Sequence, residues 1–309
     1  MTDSRTSEAP AAYDVAIVGM GAAGLAAAAV LGRSGRSVAV VGTRDRGNAG
    51  ATEVHNLPYA EGIAPEDLYG RMERELDRYG TSVFPETVEK LSAPADGAGP
   101  VTVETGSRVL VASRLLLANG VENVPPPWVP QDTWGTTVFD CPFCHAYEHR
   151  GEDFAVVGPR QMTVQVALLC VAHARSLVVV VADAEAVGSS AAERVRELGG
   201  EVLHGEIVAA ERHPSGQLTL VTSGGRDLAV GAVLVSGATR MRRQFVDQLD
   251  VRVNRFGIPE LDADGKSSNP LVWIAGTAAA PNYVLVEAMG SGIRSAMALH
   301  KDLAFEGLH

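Results

Sequence analysis

The stretch Asp14-Val-Ala-Ile-Val-Gly19-Met-Gly21-Ala-Ala-Gly24 decides the fold of the first part of this 309-residue chain. A short apolar run, typical of a buried parallel strand, leads into glycines spaced G-x-G-x-x-G and then into an alanine-rich segment that predicts a helix. Ser37-Val-Ala-Val-Val41 follows as a second apolar run. Strand, glycine loop, helix and strand in this order predict a βαβ unit. Its loop lets the backbone approach a pyrophosphate at the helix N-terminus, so the stretch predicts dinucleotide binding.

The rest of the chain predicts a second α/β unit inserted into the first. Asp153-Phe-Ala-Val-Val-Gly158 is another short apolar run, followed by a predicted helix over about 161–174 and a predicted strand at 177–181. Further strands are predicted near residues 83, 101, 109, 201–203, 218–222 and 232–235, a helix over 65–79, and a last strand and helix from Leu271 onward. This order predicts an α/β protein with a discontinuous first domain, 1–120 and 241–309, and an inserted domain, 121–240.

The loop of the inserted unit lacks the glycine fingerprint. After Gly158 come Pro159 and Arg160. Proline removes a backbone donor, and an arginine side chain occupies space that a pyrophosphate needs. The segment Ala182-Asp183-Ala184-Glu185, where a 2′-phosphate would lie, carries two acids that repel phosphate. We therefore expect this unit to be degenerate and not to bind NADPH.

Composition limits the classes of partner and the compartment. The net charge of -11 argues against nucleic acid and against an anionic membrane surface. No run approaches about 18 apolar residues, and the polar first residues do not resemble a signal peptide. We expect a cytoplasmic protein. Two of its three cysteines are spaced C-x-x-C, which in that compartment favours redox or metal chemistry over a structural disulfide framework.

The chemistry is predicted to lie in Cys141-Pro-Phe-Cys144-His145-Ala-Tyr-Glu148-His149. Two thiols at this spacing can close a small disulfide ring, and a neighbouring imidazolium can lower a cysteine pKa and so favour the reactive thiolate. His145 is the candidate base because the ordinary histidine pKa, about 6.5, lies near working pH. We expect His149 to lie at the surface.

Other interpretations of the cysteines stay open at this point. A zinc site would use Cys141, Cys144 and a histidine, although the chain has no second C-x-x-C. C-x-x-C-H is also the attachment pattern of c-type haem, and two buried inert cysteines are a further possibility. Cys170, within an apolar stretch, is predicted to be a core residue in the middle of a helix.

These motifs together resemble the low-molecular-weight thioredoxin reductase family, over nearly the whole chain. The form Cys-Pro-Phe-Cys-His with Tyr147-Glu148 is similar to the branch of that family that contains the gliotoxin- and holomycin-type dithiol oxidases. The resemblance implies two three-layer ββα domains of Rossmann type, bound FAD and a homodimer. It also implies that Cys144 faces the flavin, that Cys141 exchanges with substrate, that His145 is the base, and that Glu148 orients or charges His145.

The resemblance also implies which residues hold FAD. They are the residues of the glycine loop, the loop after the second strand, the end of the strand near 117, and the last strand and helix: Gly19, Gly21, Ala22, Ala23, Gly24, Asn48, His55, Asn56, Ala118, Asn119, Gly120, Gly276, Thr277 and Val284. Thr277 stands where the family has an aspartate for the ribityl chain, and Tyr283-Val284 stand where it has Arg-Gln. Backbone N–H groups of the last helix remain as donors to the flavin.

The predicted function is therefore an FAD-dependent dithiol oxidase, with a small-molecule dithiol as substrate and O₂ as electron acceptor. Two alternatives belong to other classes. One is a disulfide reductase of thioredoxin-like proteins that takes electrons from a donor other than NADPH, and the other is a non-catalytic flavoprotein that binds a dithiol. Peroxide formation, dependence on a protein donor, or binding without turnover distinguishes the three.

Overall fold

The structure is a computed structural model that describes residues 12–282 and 284–306. Within this part, the chain forms two compact units. The first contains the residues up to Gly47, Glu66–Glu122 and the chain from Met241 onward, and the second contains Asn48–Pro65 and Asn123–Arg240. The segment 48–65, expected in the first domain, belongs to the second unit. Its backbone packs closely there, since a Cβ atom on Gly50 would lie 2.6 Å from the carbonyl oxygen of Trp134.

The strands, in chain order, are β1 (Ala12–Val18), β2 (Val38–Val41), β3 (Ser82–Phe84), β4 (Val88–Ser92), β5 (Val101–Thr105), β6 (Val109–Leu117), β7 (Val121–Asn123), β8 (Val138–Phe139), β9 (Asp153–Gly158), β10 (Ser176–Val181), β11 (Glu201–His204), β12 (Ile207–Arg212), β13 (Leu218–Thr222), β14 (Asp227–Val230), β15 (Ala232–Val235), β16 (Thr239–Met241) and β17 (Val272–Ile274). The helices are α1 (Ala22–Arg33), α2 (Pro65–Leu76), α3 (Pro142–His145), α4 (Gln161–Ala167), α5 (Ser190–Glu197), α6 (Arg243–Gln248) and α7 (Leu285–Ala304).

The first unit has a central sheet in the order β3-β2-β1-β6, with all of these strands parallel and β17 also parallel to β6. β4 and β5 extend β6 as an antiparallel meander. Both faces of β1 are buried, which explains its continuous apolar run. Val15 and Ile17 pack in a core with residues of α1 and α7, whereas Ala16 and Val18 pack in a second core with residues of β4 and β5. The result is three layers, as expected.

The second unit repeats this plan. Its parallel sheet has the order β11-β10-β9-β15-β8, and β12-β13-β14 form a separate antiparallel sheet. Phe154 and Val156 of β9 share a core with α4 and α5, and Ala155 and Val157 share the other core with β13. β7 and β16 pair as a two-stranded ribbon. The catalytic candidates follow β8, at the edge of the parallel sheet.

Two expectations about elements are corrected by the structure. The helix predicted over about 161–174 ends at Ala167, and Cys170 lies in the turn that follows rather than in a helix. The apolar pattern continues past the helix because Cys170 lies in the core and Leu168, Val171 and Ala174 pack partly buried against it. Cys170 is fully buried, and burial raises the pKa of its thiol to about 12, which confirms it as an inert core residue. The short strands β4, β7, β8, β12, β14 and β16 were not predicted.

Among the residues that the structure describes, no helix has both the length and the apolar character needed to cross a bilayer.

Candidate active site

The glycine loop of the first unit lies between β1 and α1, and its three glycines have different reasons to be glycine. Gly19 has a φ of +120°, and a Cβ atom there would lie 2.2 Å from the carbonyl oxygen of Ala118. A Cβ atom on Gly24 would lie 2.0 Å from the carbonyl oxygen of Gly19. Both are therefore required by the packing of the chain itself.

Gly21 is different, because a Cβ atom there would meet nothing within 4 Å. Gly21 is the N-cap of α1, has an ordinary φ of -84°, and makes no side-chain cap. The chain alone gives no reason for glycine at this position. A pyrophosphate lying against the N-terminus of a twelve-residue helix does give one, so the loop fits the cofactor that its sequence predicts.

A second observation fits a bound group at the ends of β6 and β17. The side-chain nitrogen of Asn119 is buried and has no hydrogen-bond partner among the described residues. A buried unpaired amide is costly, so a missing ligand atom is a natural partner for it. Nearby, the hydroxyl of Thr277 would lie 3.1 Å from a Cβ atom on Gly120, so these predicted cofactor residues converge. The backbone N–H of Gly276 donates to the hydroxyl of Ser291, which holds the end of β17 on α7.

Val284 is the N-cap of α7, but its own backbone N–H donates to the carboxylate of Glu287 at 3.1 Å. This amide is therefore already paired within the helix. Donors to a flavin at this helix would have to come from the residues that follow. Tyr283, compared above with a family residue, lies outside the described residues.

Arg46 braces the glycine loop, and the sequence did not predict this. Its guanidinium donates to the carbonyl oxygen of Met20, stacks over the ring of Tyr69 and pairs with Glu73. Glu73 also pairs with Arg44. Arg44 and Arg46, which follow β2, thus both pair with Glu73 of α2. An arginine a few residues after the second strand was the available signal.

The dithiol turn, residues 141–148, follows β8 in the second unit. Cys141 is the N-cap of α3 and has extended backbone angles, and Pro142 occupies the first helical position, which its fixed φ favours. The two sulfur atoms are joined in a Cys141–Cys144 disulfide. The cysteine pair predicted from the motif is therefore brought together. Within the described residues, no group of three or more histidine, cysteine, aspartate or glutamate side chains is arranged to hold a metal ion.

His145 follows this disulfide directly and has an unusual environment. Both ring nitrogens are buried and neither has a hydrogen-bond partner among the described residues. The ring stacks on Phe139, with centroids 5.2 Å apart. Burial lowers the pKa of His145, although the backbone carbonyl groups of Cys141 and Gly135 partly oppose this effect. The imidazole is therefore held neutral, the form that can accept a thiol proton.

Glu148 acts on His145 through its charge, which raises the pKa of the imidazole against the larger effect of burial, and no hydrogen bond joins the two side chains. Its carboxylate also lies 3.6 Å from the Nε2 atom of His55 and lines a surface cleft. Residues 145 and 148 point differently because the His145 ring turns inward onto Phe139 while Glu148 remains exposed. His149, expected at the surface, is also turned inward. It stacks on Phe139, and its ring nitrogens contact Glu152 and the carbonyl oxygen of Thr136.

The loop 54–63, closed by a bridge between Val54 and Ile63, lies against the dithiol turn within the second unit. Asn56 adopts a left-handed φ of +59°, and its amide donates to the carbonyl oxygen of Phe143 at 2.7 Å. His55 lies beside Asn56, and its Nδ1 atom is 2.8 Å from the carboxylate of Glu61. The structure thus groups His55 and Asn56, expected at the flavin, with the dithiol turn. Asn48 belongs to the same unit.

A cleft of about 350 Å³ opens between this loop and the dithiol turn. Its lining combines exposed aromatic and apolar side chains with carboxylates and imidazoles: His55, Asn56, Glu61, Pro142, Phe143, Tyr147, Glu148, Leu169 and His173. Phe143 is 65% exposed and Tyr147 is 60% exposed. Since Pro142 and Phe143 are the two residues between the cysteines, the cleft adjoins the disulfide.

Asp140, immediately before Cys141, was also missed by the sequence analysis. Burial raises the pKa of its carboxyl group. A carboxyl that resists ionisation next to a redox cysteine is an additional candidate for proton exchange. Its position directly before the first cysteine was the only available signal.

The corresponding loop of the second unit does not resemble the glycine loop of the first. A Cβ atom on Gly158 would lie 2.5 Å from the Thr163 hydroxyl and 2.8 Å from the carbonyl oxygen of Ser236, so packing explains this glycine. Arg160 is the N-cap of α4 and is exposed.

Comparison with known proteins identifies the family. Residues 13–298 match the family described as pyridine nucleotide-disulphide oxidoreductase. The chain belongs to this family. It is similar to "Thioredoxin reductase sirT" of Leptosphaeria maculans, with 35% identity over 150 residues, 47% of this chain and 46% of that protein. It is also similar to "Thioredoxin reductase aclD" of Aspergillus oryzae, with 31% identity over 143 residues, 45% of each chain. Each match spans less than half of the relative's length.

Among solved structures, the chain is similar to HlmI, with a TM-score of 0.86, 25% identity, and coverage of 96% of this chain and 93% of that one. These findings confirm the predicted α/β architecture and the resemblance to thioredoxin reductases. The chain is thus a member of the pyridine nucleotide-disulphide oxidoreductase family that is similar to thioredoxin reductases.

Proposed function

We propose that the protein is an FAD-dependent dithiol oxidase, which closes a disulfide in a small-molecule dithiol and uses O₂ as electron acceptor. The observation that carries this proposal is the Cys141–Cys144 disulfide, which is followed directly by His145, whose ring nitrogens are buried, and is flanked by a cleft of about 350 Å³. A cleft of this volume suits a small molecule. The similarity to sirT, aclD and HlmI supports disulfide chemistry at this pair.

The cysteines would carry out two successive thiol–disulfide exchanges. The first substrate sulfur attacks the Sγ atom of Cys141, the Cys141–Cys144 bond breaks, and Cys144 leaves as a thiolate. The second substrate sulfur then attacks the first, and Cys141 leaves in turn. The substrate has lost two electrons and two protons, and the cysteine pair holds the two electrons. His145, neutral and adjacent to Cys144, is suited to exchange a proton with that cysteine.

FAD would be held by the glycine loop, where Gly21 leaves open space, and by the residues Asn119, Gly120 and Thr277. When bound, FAD supplies a two-electron acceptor for the reduced cysteine pair and passes the electrons to O₂, giving H₂O₂. The loop of the second unit supports a substrate, rather than NADPH, as the electron source. Gly158 there is explained by packing, and Pro159 and Arg160 do not favour a pyrophosphate.

The experiment that tests this function is O₂ consumption by the flavin-loaded protein with a panel of small dithiols. We expect consumption that depends on the dithiol, with one H₂O₂ and one substrate disulfide formed per O₂. Cys141→Ser and Cys144→Ser should each lose turnover, since the relay needs two sulfurs. Cys170→Ser is the matched control, because that thiol is buried and inert. Full activity in either C-x-x-C variant would overturn the proposal.

A second candidate, a disulfide reductase of thioredoxin-like proteins, is favoured by the names of the curated relatives. It predicts reduction of a protein disulfide by the loaded enzyme with a protein electron donor and no dithiol-dependent peroxide.

A further inference from the structure

His55 is placed as a second acid–base group at the cleft beside the dithiol turn. The side chain is 14% exposed and lines the cleft that adjoins the two cysteines. Its Nδ1 atom lies 2.8 Å from a carboxylate oxygen of Glu61. A carboxylate only accepts hydrogen bonds, so Nδ1 donates, and in the neutral ring the lone pair is then on Nε2.

The Nε2 atom has no hydrogen-bond partner among the described residues. The nearest charged groups are the carboxylates of Glu148 at 3.6 Å and Glu53 at 3.8 Å, which are beyond ordinary hydrogen-bond distance. His173 is the other titratable imidazole that lines this cleft. An imidazole fixed at one nitrogen by a carboxylate and open at the other has the arrangement of a general base with its orienting partner.

We propose that His55 is the base for the incoming substrate thiol and that Glu61 positions it. This inference rests on the proposed thiol–disulfide exchange at Cys141–Cys144. In the first exchange, the substrate S–H proton moves to Nε2 of His55, and the substrate sulfur forms a bond to the Sγ atom of Cys141. The Cys141–Cys144 bond breaks, and Cys144 takes the electron pair as a thiolate. The charges balance, because one imidazolium and one thiolate are formed from a neutral thiol, a neutral imidazole and a disulfide.

The arrangement divides the proton chemistry between two histidines. His145 is buried on the Phe139 side with both nitrogens unpaired, so it serves the cysteine that leaves. His55 is accessible from the cleft, where the substrate arrives. Glu61 supports this reading, since its hydrogen bond with His55 lowers the pKa of the carboxyl group and keeps it ionised. Glu148 is a further carboxylate on the cleft, with its oxygen 3.6 Å from the Nε2 atom of His55.

The test is a single-turnover reaction without oxygen, in which the flavin-loaded protein is mixed with dithiothreitol. The oxidised dithiothreitol is counted after an acid quench, so the readout does not depend on oxygen turnover. We expect His55→Gln to slow the reaction about 100-fold near neutral pH. The deficit should shrink as pH approaches the pKa of the substrate thiol, where thiolate is present without a base. Glu61→Gln should show the same pH-dependent deficit, about tenfold, and His213→Gln, an exposed histidine of the same unit, is the matched control.

A thiol that is already ionised at neutral pH separates a base from a structural residue. With 4-nitrothiophenol, mixed-disulfide formation at Cys141, followed by mass spectrometry, should proceed at nearly the same rate in wild type and His55→Gln. Equal pH profiles for wild type and His55→Gln with dithiothreitol would overturn the role of His55 while leaving the proposed function intact. An equal loss with both thiols would assign His55 a structural role and also overturn the inference. A wild-type disulfide that no dithiol reduces would instead overturn the proposed function itself.

Discussion

At the scale of single residues, the environment of His145 makes a specific prediction about pH. Burial lowers its pKa, so the ring remains neutral, and able to accept a proton, at pH values below the ordinary histidine range near about 6.5. The wild-type rate should therefore decline only below that range, as His145 becomes protonated. In His145→Gln, the rate should be about 100-fold lower near neutral pH and should rise with pH toward the range of thiol ionisation.

The measurement is the pH dependence of kcat for dithiol oxidation in wild type and His145→Gln. Glutamine keeps a planar polar group that can stack on Phe139, so the variant changes the titrating group more than the packing. His149→Gln is a useful comparison, because His149 stacks on the same ring but is already hydrogen-bonded at both nitrogens. A His145→Gln profile that coincides with the wild-type profile would remove His145 from the mechanism.

The sequence predicted the residues whose role is set by local spacing. The disulfide between Cys141 and Cys144 and the glycine loop are properties of a few consecutive residues, so the motif contains the necessary information. The partner of Glu148 could not be predicted this way. Its contact with His55 joins residues 93 positions apart, and only the packing of the second unit brings them together. Contacts of this kind leave no periodic signal in a single sequence.

At the scale of elements, the turn between β1 and α1 separates two kinds of glycine, and a matched pair of variants tests them. Gly21→Val adds a side chain where the chain has open space, so the fold should keep its stability while flavin binding is lost. Gly24→Ala forces a Cβ atom to within 2.0 Å of a carbonyl oxygen, so the backbone must shift, at a cost of about 1–3 kcal/mol.

Thermal unfolding and flavin absorbance, measured on the same preparations, distinguish the two outcomes. Gly35→Ala is a control for glycine replacement outside the loop, and it measures the cost of a positive φ, +75°, in open surroundings. Retention of flavin by Gly21→Val would show that the open space over Gly21 is not where the cofactor lies. A Gly24→Ala protein as stable as wild type would contradict the packing argument.

Element boundaries show why sequence patterns describe burial better than conformation. The apolar run after Gln161 predicts a helix to about residue 174, yet α4 ends at Ala167 and the chain turns while Cys170 remains fully buried. β12 and β14 were missed because each has only four to six residues and exposes part of its surface. Strands with a run of four consecutive buried residues, such as β1 and β9, were predicted nearly to the residue.

At the scale of the whole molecule, the chain contains the same plan twice. In each unit, helices pack on one face of a parallel sheet, and antiparallel strands pack in the core on the other face. The two units differ at the turn after their first parallel strand. In the first unit, Gly21 leaves open space at the N-terminus of α1. In the second, packing accounts for Gly158, and Pro159 and Arg160 follow it. A duplicated architecture therefore does not imply duplicated nucleotide binding, because the few residues at each turn determine it.

This difference between the units predicts that NADPH is not the electron source. Pro159 supplies no backbone N–H, the long side chain of Arg160 follows where a small residue would let a pyrophosphate approach, and the acids Asp183 and Glu185 would repel a 2′-phosphate. We expect no loss of NADPH absorbance when the flavin-loaded protein is mixed with NADPH and a disulfide acceptor. Under anaerobic conditions, stoichiometric NADPH should leave the flavin oxidised, whereas a suitable dithiol should bleach it. Asp183→Asn and Glu185→Gln are matched controls and should also leave the flavin oxidised. Removing these charges leaves Pro159 and Arg160 in place, so a pyrophosphate still cannot approach the backbone of the loop. Rapid bleaching of the wild-type flavin by NADPH would contradict this prediction and would assign the protein to the NADPH-dependent reductases.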